Sequence, residues 1–179
     1  RFLKDVNNKS TSKVLLIAKD YEGYKNLIEL VTIAHLEGFY YRPRIDYKVL
    51  EAHSKGLICI IGGVASDLGK AILINDLDKQ ADLLNFYKKV FVQDLFFEVI
   101  ASSDSSDLNI VNAALKTISN TEGVEMVLTC DSHYISKKDK DLLDILMCIG
   151  NGKNINDPNR FIFSYEAYLK SCEDLLEFA

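Results

Sequence analysis

The 179-residue chain lacks tryptophan and has only two prolines and nine glycines, so it has few of the residues that interrupt regular structure. With 48% hydrophobic and 26% charged residues, its composition is that of an ordinary globular domain and excludes a disordered or low-complexity protein. Its longest run without a charged residue, 56–66, has 11 residues, whereas a membrane helix needs roughly 18–20. The sequence therefore predicts one soluble domain that does not contact a membrane.

Blocks of basic residues are also missing. The net charge is −5, and lysines alternate with acidic residues along the whole chain. A broad surface that neutralises nucleic-acid phosphates is therefore not indicated. The four cysteines, Cys59, Cys130, Cys148 and Cys172, are widely spaced, and three lie in apolar runs. This pattern favours free, buried thiols of a cytosolic protein over disulfides or a zinc site.

Four short apolar runs indicate strands near residues 14–18, 57–61, 95–100 and 126–130. Each run is nearly continuous in apolar residues, which is typical of parallel strands covered on both faces. Helices are predicted between the strands, over 107–119, over 139–149 and along two apolar stripes: Tyr24, Leu27, Ile28, Val31 and Leu36, then Leu77, Ala81, Leu84 and Phe91. The alternation predicts an α/β fold of parallel strands joined by right-handed crossovers.

The end of the last predicted strand has the most suggestive polar pair, Asp131 and His133. Functional side chains gather at the carboxyl ends of parallel strands, and a carboxylate with an imidazole suits Zn, Mn or Fe. Two ligands do not make a tight site. In the structural alternative, Asp131 caps the next helix and His133 is a hydrogen-bonded loop residue, and the spacing alone favours this alternative.

Three other motifs have weaker signals. Gly62-Gly63 could direct backbone amides at an anion, but without a full phosphate-binding pattern it is interpreted as a tight turn. His35 and His53 have no second ligand at helical spacing and are interpreted as surface or packing residues. The run Phe39-Tyr40-Tyr41 followed by Arg42-Pro43-Arg44 could stack on and pair with nucleotides, or could equally form a docking surface or a core edge.

Three ordered stretches, LLIAKDYEGYKNLIELVTIAHLEGFYYRPRID (15–46), TCDSHYISKKD (129–139) and LLDILMCIGNGKNINDPNRFIF (142–163), resemble the PHP domain of the bacterial DNA polymerase III alpha subunit. The likeness runs from about Lys13 to Phe178. The loop Asp157-Pro158-Asn159-Arg160 points to the polymerase branch rather than to a free-standing histidinol phosphatase. The resemblance implies a distorted (β/α)7 barrel at the amino end of a replicative polymerase, with metal ions held at the strand ends.

On this resemblance, residues 1–179 are a partial PHP domain that contains the later part of the barrel. The earlier strands, with the family's His-x-His and acidic motifs, would precede Arg1, and residues 150–179 would begin the connection toward the polymerase core. A truncated barrel exposes a sheet edge, so we expect the fragment to self-associate.

Matching the family's metal ligands residue by residue gives a mixed result. Asp131 and His133 correspond to its last two ligands, but Lys13 stands where metal-binding members have His, and Gly63 where they have Cys. A protonated ammonium cannot ligate a metal, and glycine has no side chain. The resemblance therefore implies a scaffold that has lost metal-site residues, with no cofactor in this fragment and Zn or Mn only if the parent site is intact.

The alternative is a metal-dependent phosphoesterase, acting as a 3′–5′ exonuclease or a pyrophosphatase, that uses Asp131 and His133. The parent would be a cytoplasmic bacterial enzyme of DNA replication, a DNA-directed DNA polymerase whose catalytic Mg ions lie outside these residues. The expected partners are the rest of the alpha subunit, the replicative exonuclease subunit and, through the parent, DNA.

Overall fold

A computed structural model describes residues 11–101, 105–162 and 166–177. Its strands are β1 (Leu15–Ala18), β2 (Leu57–Gly62), β3 (Leu95–Ile100) and β4 (Met126–Thr129). Its helices are α1 (Tyr21–Leu36), α2 (Tyr47–Ala52), α3 (Asp67–Leu73), α4 (Leu77–Phe91), α5 (Ser106–Glu122), α6 (Lys140–Gly150) and α7 (Cys172–Leu176), with a 3-10 turn at Lys137–Asp139. The predicted α/β class and all four strands are confirmed. In the described part, no helix is long and apolar enough to cross a membrane.

The sheet has the order β1-β2-β3-β4, and β2, β3 and β4 are parallel as predicted. The prediction that all strands are parallel is wrong for β1, which pairs antiparallel with β2, Leu15 opposite Ile60 and Ala18 opposite Leu57. The reason is the connection after β1. Helix α1 runs from the end of the sheet where β1 finishes to the opposite end. The following segment, which contains α2, then returns the chain to the end where β1 finishes. Strand β2 therefore starts beside the point where β1 ends.

Helices α1 to α5 all pack against one face of this sheet. Their apolar side chains form a single core with Leu57, Cys59 and Ile61 of β2 and Leu95 and Phe97 of β3. The opposite face is open: Leu15 and Ile17 of β1 are 47% and 44% exposed, and the residues beside them on β2 and β3 (Ile58, Ile60 and Phe96) are only partly buried. The prediction of strands covered on both faces is therefore wrong for the described residues.

Helix α1 turns a different side to the sheet from the one that its large residues predicted. Its buried residues are Gly23, Leu30 and Ala34. In the predicted stripe, Tyr24, Ile28 and Val31 are about half exposed, and Leu36 is mostly exposed. The cause is a close backbone approach, since a Cβ on Gly23 would lie 1.8 Å from the carbonyl oxygen of Gly56. Small residues let the helix approach the sheet, so they decide its orientation.

Helix α4 follows the predicted stripe only in part: Phe91 is buried and Leu84 packs against the core, but Leu77 is largely exposed, and the stripe omits the buried Leu83 and Tyr87. The helices predicted over 107–119 and 139–149 are confirmed as α5 and as the 3-10 turn with α6.

All four cysteines are free thiols, as predicted. Cys59 and Cys148 are buried, but Cys130 is only partly buried and Cys172 is exposed. The prediction of buried thiols therefore holds for two of them. Burial, followed by the negative charge of Asp67, raises the pKa of the Cys59 thiol well above its usual range, so Cys59 behaves as a core residue and not as a nucleophile.

Candidate functional site at the carboxyl edge of the sheet

The four residues that the sequence singled out lie at one edge of the sheet. Gly63 directly follows β2, and Asp131 and His133 follow β4, so they mark the carboxyl ends of parallel strands. Lys13 precedes β1, which runs the other way, and its backbone N–H donates to the carbonyl of Ala65 at 2.9 Å. The antiparallel direction of β1 is thus what brings Lys13 to the same edge as the other three residues.

Asp131 and His133 lie close together at this edge. The imidazole Nε2 is 3.5 Å from the Asp131 Oδ2, and the two side chains are 41% and 46% exposed, respectively. Asp131 has a φ of 39°, a left-handed conformation that is uncommon for a residue other than glycine. The strand therefore ends in a sharp turn that directs a carboxylate and an imidazole to solvent side by side.

A segment near the end of the chain holds this turn in place. The backbone N–H of His133 donates to the carbonyl of Ala167 at 2.7 Å, and the N–H of Leu169 donates to the carbonyl of Tyr134 at 2.9 Å. Tyr134 and Tyr168 form a parallel β-bridge. Residues 166–169 therefore pair with the segment after β4 and hold the backbone at His133.

The alternative role of Asp131 as a helix cap is wrong. The 3-10 turn at Lys137–Asp139 begins with a capping box in which the Ser136 hydroxyl and backbone N–H both donate to Asp139 Oδ2, at 2.7 and 3.1 Å. These hydrogen bonds hold the pKa of Asp139 below its ordinary value. Asp131 lies five residues before Ser136 and takes no part in this cap.

The described residues do not bring a full set of metal ligands together at this edge. Lys13 and Asp131 adjoin the two outer strands of the described sheet, β1 and β4, which are separated by β2 and β3. Ligands of one metal ion must lie within a few ångströms of each other, since each is about 2 Å from it. Among residues 11–101, 105–162 and 166–177, no three His, Cys, Asp or Glu side chains are grouped to hold a metal.

Gly63 shows why its position is filled by glycine in this chain. Its φ of +63° is left-handed, and a Cβ there would come within 3.0 Å of Ile100 Cδ1. The tight turn predicted at Gly62-Gly63 is confirmed. The turn is not an anion site, because Ser66 caps α3 by accepting from the N–H of Gly69 at 2.8 Å, and the Asp67 carboxylate accepts from the N–H of Leu68.

Sequence reasoning missed a buried carboxylate behind this turn. Asp67 is 7% exposed, and its Oδ2 accepts hydrogen bonds from the hydroxyls of Tyr47 and Tyr87, both at 2.7 Å. Burial first, and then Asp67, raises the pKa of both tyrosines far above 10. This cluster ties α2, α3 and α4 together. The three residues are far apart in sequence, so no local pattern predicts it.

The run 39–44, here called the arginine–tyrosine loop, also lies at this edge because it follows α1, which starts at the opposite end. The Tyr40 and Tyr41 rings pack edge to face with centroids 4.7 Å apart, and the Arg44 guanidinium lies over the Tyr40 ring at 5.0 Å. Tyr41 is 73% exposed. The predicted core-edge role therefore does not describe Tyr41, whose ring faces solvent.

Comparison with known protein families identifies the family to which this chain belongs. The model of the PHP domain matches residues 4–102, more than half of the chain. The chain therefore belongs to the PHP domain family. A four-stranded, mostly parallel sheet with its helices on one face agrees with a fragment of such a fold.

The similar curated proteins are replicative polymerase subunits. The chain is 39% identical over 99% of its length to DNA polymerase III subunit alpha of Borreliella burgdorferi, 37% identical over 89% to that of Thermus aquaticus, and 32% identical over 97% to that of Helicobacter pylori. It spans only 16%, 13% and 15% of the lengths of these relatives. The resemblance predicted from the three ordered motifs is confirmed.

Proposed function

We propose that the chain is the PHP segment of a bacterial DNA polymerase III alpha subunit and acts as a scaffold for the polymerase core rather than as a hydrolase. The proposal rests on the ligand positions at the carboxyl edge. Lys13 and Gly63 stand where the family has metal ligands. Lys13 has an ammonium group there, and Gly63 has no side chain. Similarity to alpha subunits along nearly the whole chain supports the assignment to that protein.

The charge of Lys13 strengthens this argument. A lysine ammonium at the position where metal-binding members of the family have His adds positive charge and removes a donor atom, so metal affinity should fall for both reasons. Because the metal ions of this family activate water for phosphoester cleavage, loss of affinity should remove the activity as well. Asp131 and His133 alone are too few ligands for a tight site.

The open sheet face supports a scaffolding role. Its partly exposed apolar residues, such as Ile17 and Phe96, can be buried by other parts of an alpha subunit. In this proposal residues 150–179 lead toward the polymerase core, and template-directed synthesis with its Mg ions takes place in a domain outside this chain. The exonuclease subunit, DNA through the parent protein, and a cytoplasmic location belong to the same proposal.

The test is metal content by elemental analysis of the full-length protein after dialysis against Zn or Mn. The parent is compared with a double variant, Asp131→Ala with His133→Ala. We expect no stoichiometric metal in either protein at this edge, and equal melting temperatures, since both side chains are more than 40% exposed. One equivalent of metal that binds the parent and is absent from the double variant would refute the scaffold proposal.

One observation supports a second candidate function, a metal-dependent phosphoesterase. The 3.5 Å approach of His133 to Asp131 at a carboxyl edge is the geometry that a metal-dependent phosphoesterase would use for two of its ligands. If this is the function, the parent should hydrolyse a 3′-labelled single strand or pyrophosphate with Mn or Zn, and His133→Ala should abolish it. Absence of metal-dependent hydrolysis by the full-length parent would end this alternative.

A further inference from the structure

We propose that the arginine–tyrosine loop binds single-stranded nucleic acid, with the Tyr41 ring stacking on a base and the Arg42 guanidinium pairing with a phosphate. The site is separate from Asp131 and His133 and needs no metal. It therefore goes beyond the scaffold function and does not depend on it.

The first argument is shape. Thr11, Tyr40, Tyr41 and Arg42 line a cavity of about 510 Å³ that is open to solvent. Small-molecule sites are of this size, since they measure roughly 300–1,000 Å³ and combine aromatic walls with a few polar groups. The cavity is therefore large enough for one nucleotide unit and is lined by aromatic rings and an arginine.

The second argument is how the loop presents Tyr41. The residue has a φ of +59°, a left-handed conformation that is unfavourable for residues other than glycine. The loop around it is closed tightly, because the Tyr40 N–H donates to the Arg42 carbonyl at 3.1 Å and a Cβ on Gly38 would lie 1.9 Å from the Arg44 carbonyl oxygen. A strained backbone that holds a large ring in solvent is typical of a binding site.

The third argument is charge. Residues 38–45 include two arginines and no acidic residue, and the nearest acidic residues, Glu37 and Asp46, lie four and five positions from Tyr41, whereas Asp20 and Glu22 adjoin Tyr21. The Lys70 ammonium lies next to Thr11, since it donates to the Thr11 carbonyl and to the Ser12 hydroxyl. In the described part of the chain, no carboxylate forms an ion pair with Arg42. A local positive charge beside exposed rings favours a phosphate-bearing, base-bearing ligand over a protein surface.

The opposite end of α1 offers a matched control. Tyr21 is 74% exposed, stacks on Tyr24 at 6.4 Å and has the Lys25 ammonium 5.3 Å from its ring centroid. This aromatic and cationic group is flanked by Asp20 and Glu22, so its charge is not complementary to phosphate. Removing its ring tests whether any exposed tyrosine on this protein would give the same signal.

The experiment measures binding of a fluorescein-labelled oligo-dT of about twelve nucleotides to the full chain by fluorescence anisotropy, in EDTA and at several salt concentrations. Tyr41→Gly removes the ring and also relieves the left-handed backbone, so its melting temperature should equal or exceed that of the parent. We expect it to weaken binding at least about fivefold, because stacking on an aromatic ring is a substantial part of single-strand affinity. Arg42→Gln should weaken binding and reduce the salt slope by about 0.7.

Two controls complete the design. Tyr41→Phe and Tyr21→Ala should bind as the parent does, and an oligo-dT that carries 5-iododeoxyuridine should cross-link to the peptide that contains Tyr41. Equal binding by the parent, Tyr41→Gly and Arg42→Gln would overturn the proposal, as would an equal loss in Tyr21→Ala. A parent that binds no oligonucleotide at low salt would also overturn it and would indicate a protein partner for the loop. Because EDTA is present, these results are independent of the metal analysis.

Discussion

The two faces of the sheet are built from similar residues and lie in different surroundings. On β3, Phe97 is fully buried under the helices, while its neighbour Phe96 points to the open face and is partly exposed. On β1, Leu16 packs against the core and Ile17 is 44% exposed. Apolar residues on both sides of a strand indicate that both faces of the sheet are covered. In the described residues, only one face is covered, by the helices. The open face is therefore a surface that should contact another polypeptide.

The largest effect should come from the covered face. Phe97→Ala leaves a cavity in the core and should lower the free energy of unfolding by about 3–5 kcal/mol. Phe96→Ala makes the same chemical change one residue away but removes a partly exposed ring, so it should cost about 1 kcal/mol. Urea unfolding of both variants, followed by circular dichroism, measures the difference. Equal losses would show that the open face is covered in solution.

The buried carboxylate should give the next largest effect. Asp67→Ala leaves the hydroxyls of Tyr47 and Tyr87 without their acceptor and should cost about 3 kcal/mol. Asp67→Asn keeps an acceptor oxygen without its charge and should cost clearly less. Thermal melts of the two variants test this order. A harmless Asp67→Ala would mean that the cluster does not hold α2, α3 and α4 together.

The same cluster predicts a pH dependence. The folded chain raises the pKa of Tyr47 and Tyr87, first through burial and then through Asp67, so their contribution to stability is fully present below the unfolded pKa of about 10. It is lost as the pH rises above that value, because only the unfolded chain ionises readily. Tyr87→Phe should therefore show a shallower loss of stability between neutral pH and about pH 11 than the parent. An unchanged slope would contradict the assignment.

The smallest effect on stability is expected for a substitution on the open face. There the informative measurement is the self-association of the chain. Ile17→Lys places a charge on an edge strand and should change the free energy of unfolding by about 0.5 kcal/mol or less. It should also shift the chain from a self-associated form to the monomer in sedimentation velocity. Gln93→Lys adds the same charge at an exposed position outside the sheet and serves as the control. A parent that is monomeric at high concentration would refute the predicted self-association.

The sequence predicted the candidate site only where its residues are close together along the chain. Asp131 and His133 follow one strand in sequence, so their proximity could be read directly. Lys13 and Gly63 came from the family resemblance, and their shared edge depends on the antiparallel β1, which local patterns did not predict. Asp67, Tyr47 and Tyr87 meet through three different helices, and no spacing in the sequence reveals such a contact.

The sequence by itself determined the α/β class, the four strands, the free thiols and the membership of the PHP family, because local hydrophobic patterns and ordered motifs are properties of contiguous residues. Tertiary structure decided the direction of β1, the side that α1 turns to the sheet and the exposure of Tyr41. Each of these depends on a contact between distant segments, such as Gly23 with Gly56 or Gly38 with Arg44. Steric fit between backbones chose among arrangements that the hydrophobic pattern left equally favourable.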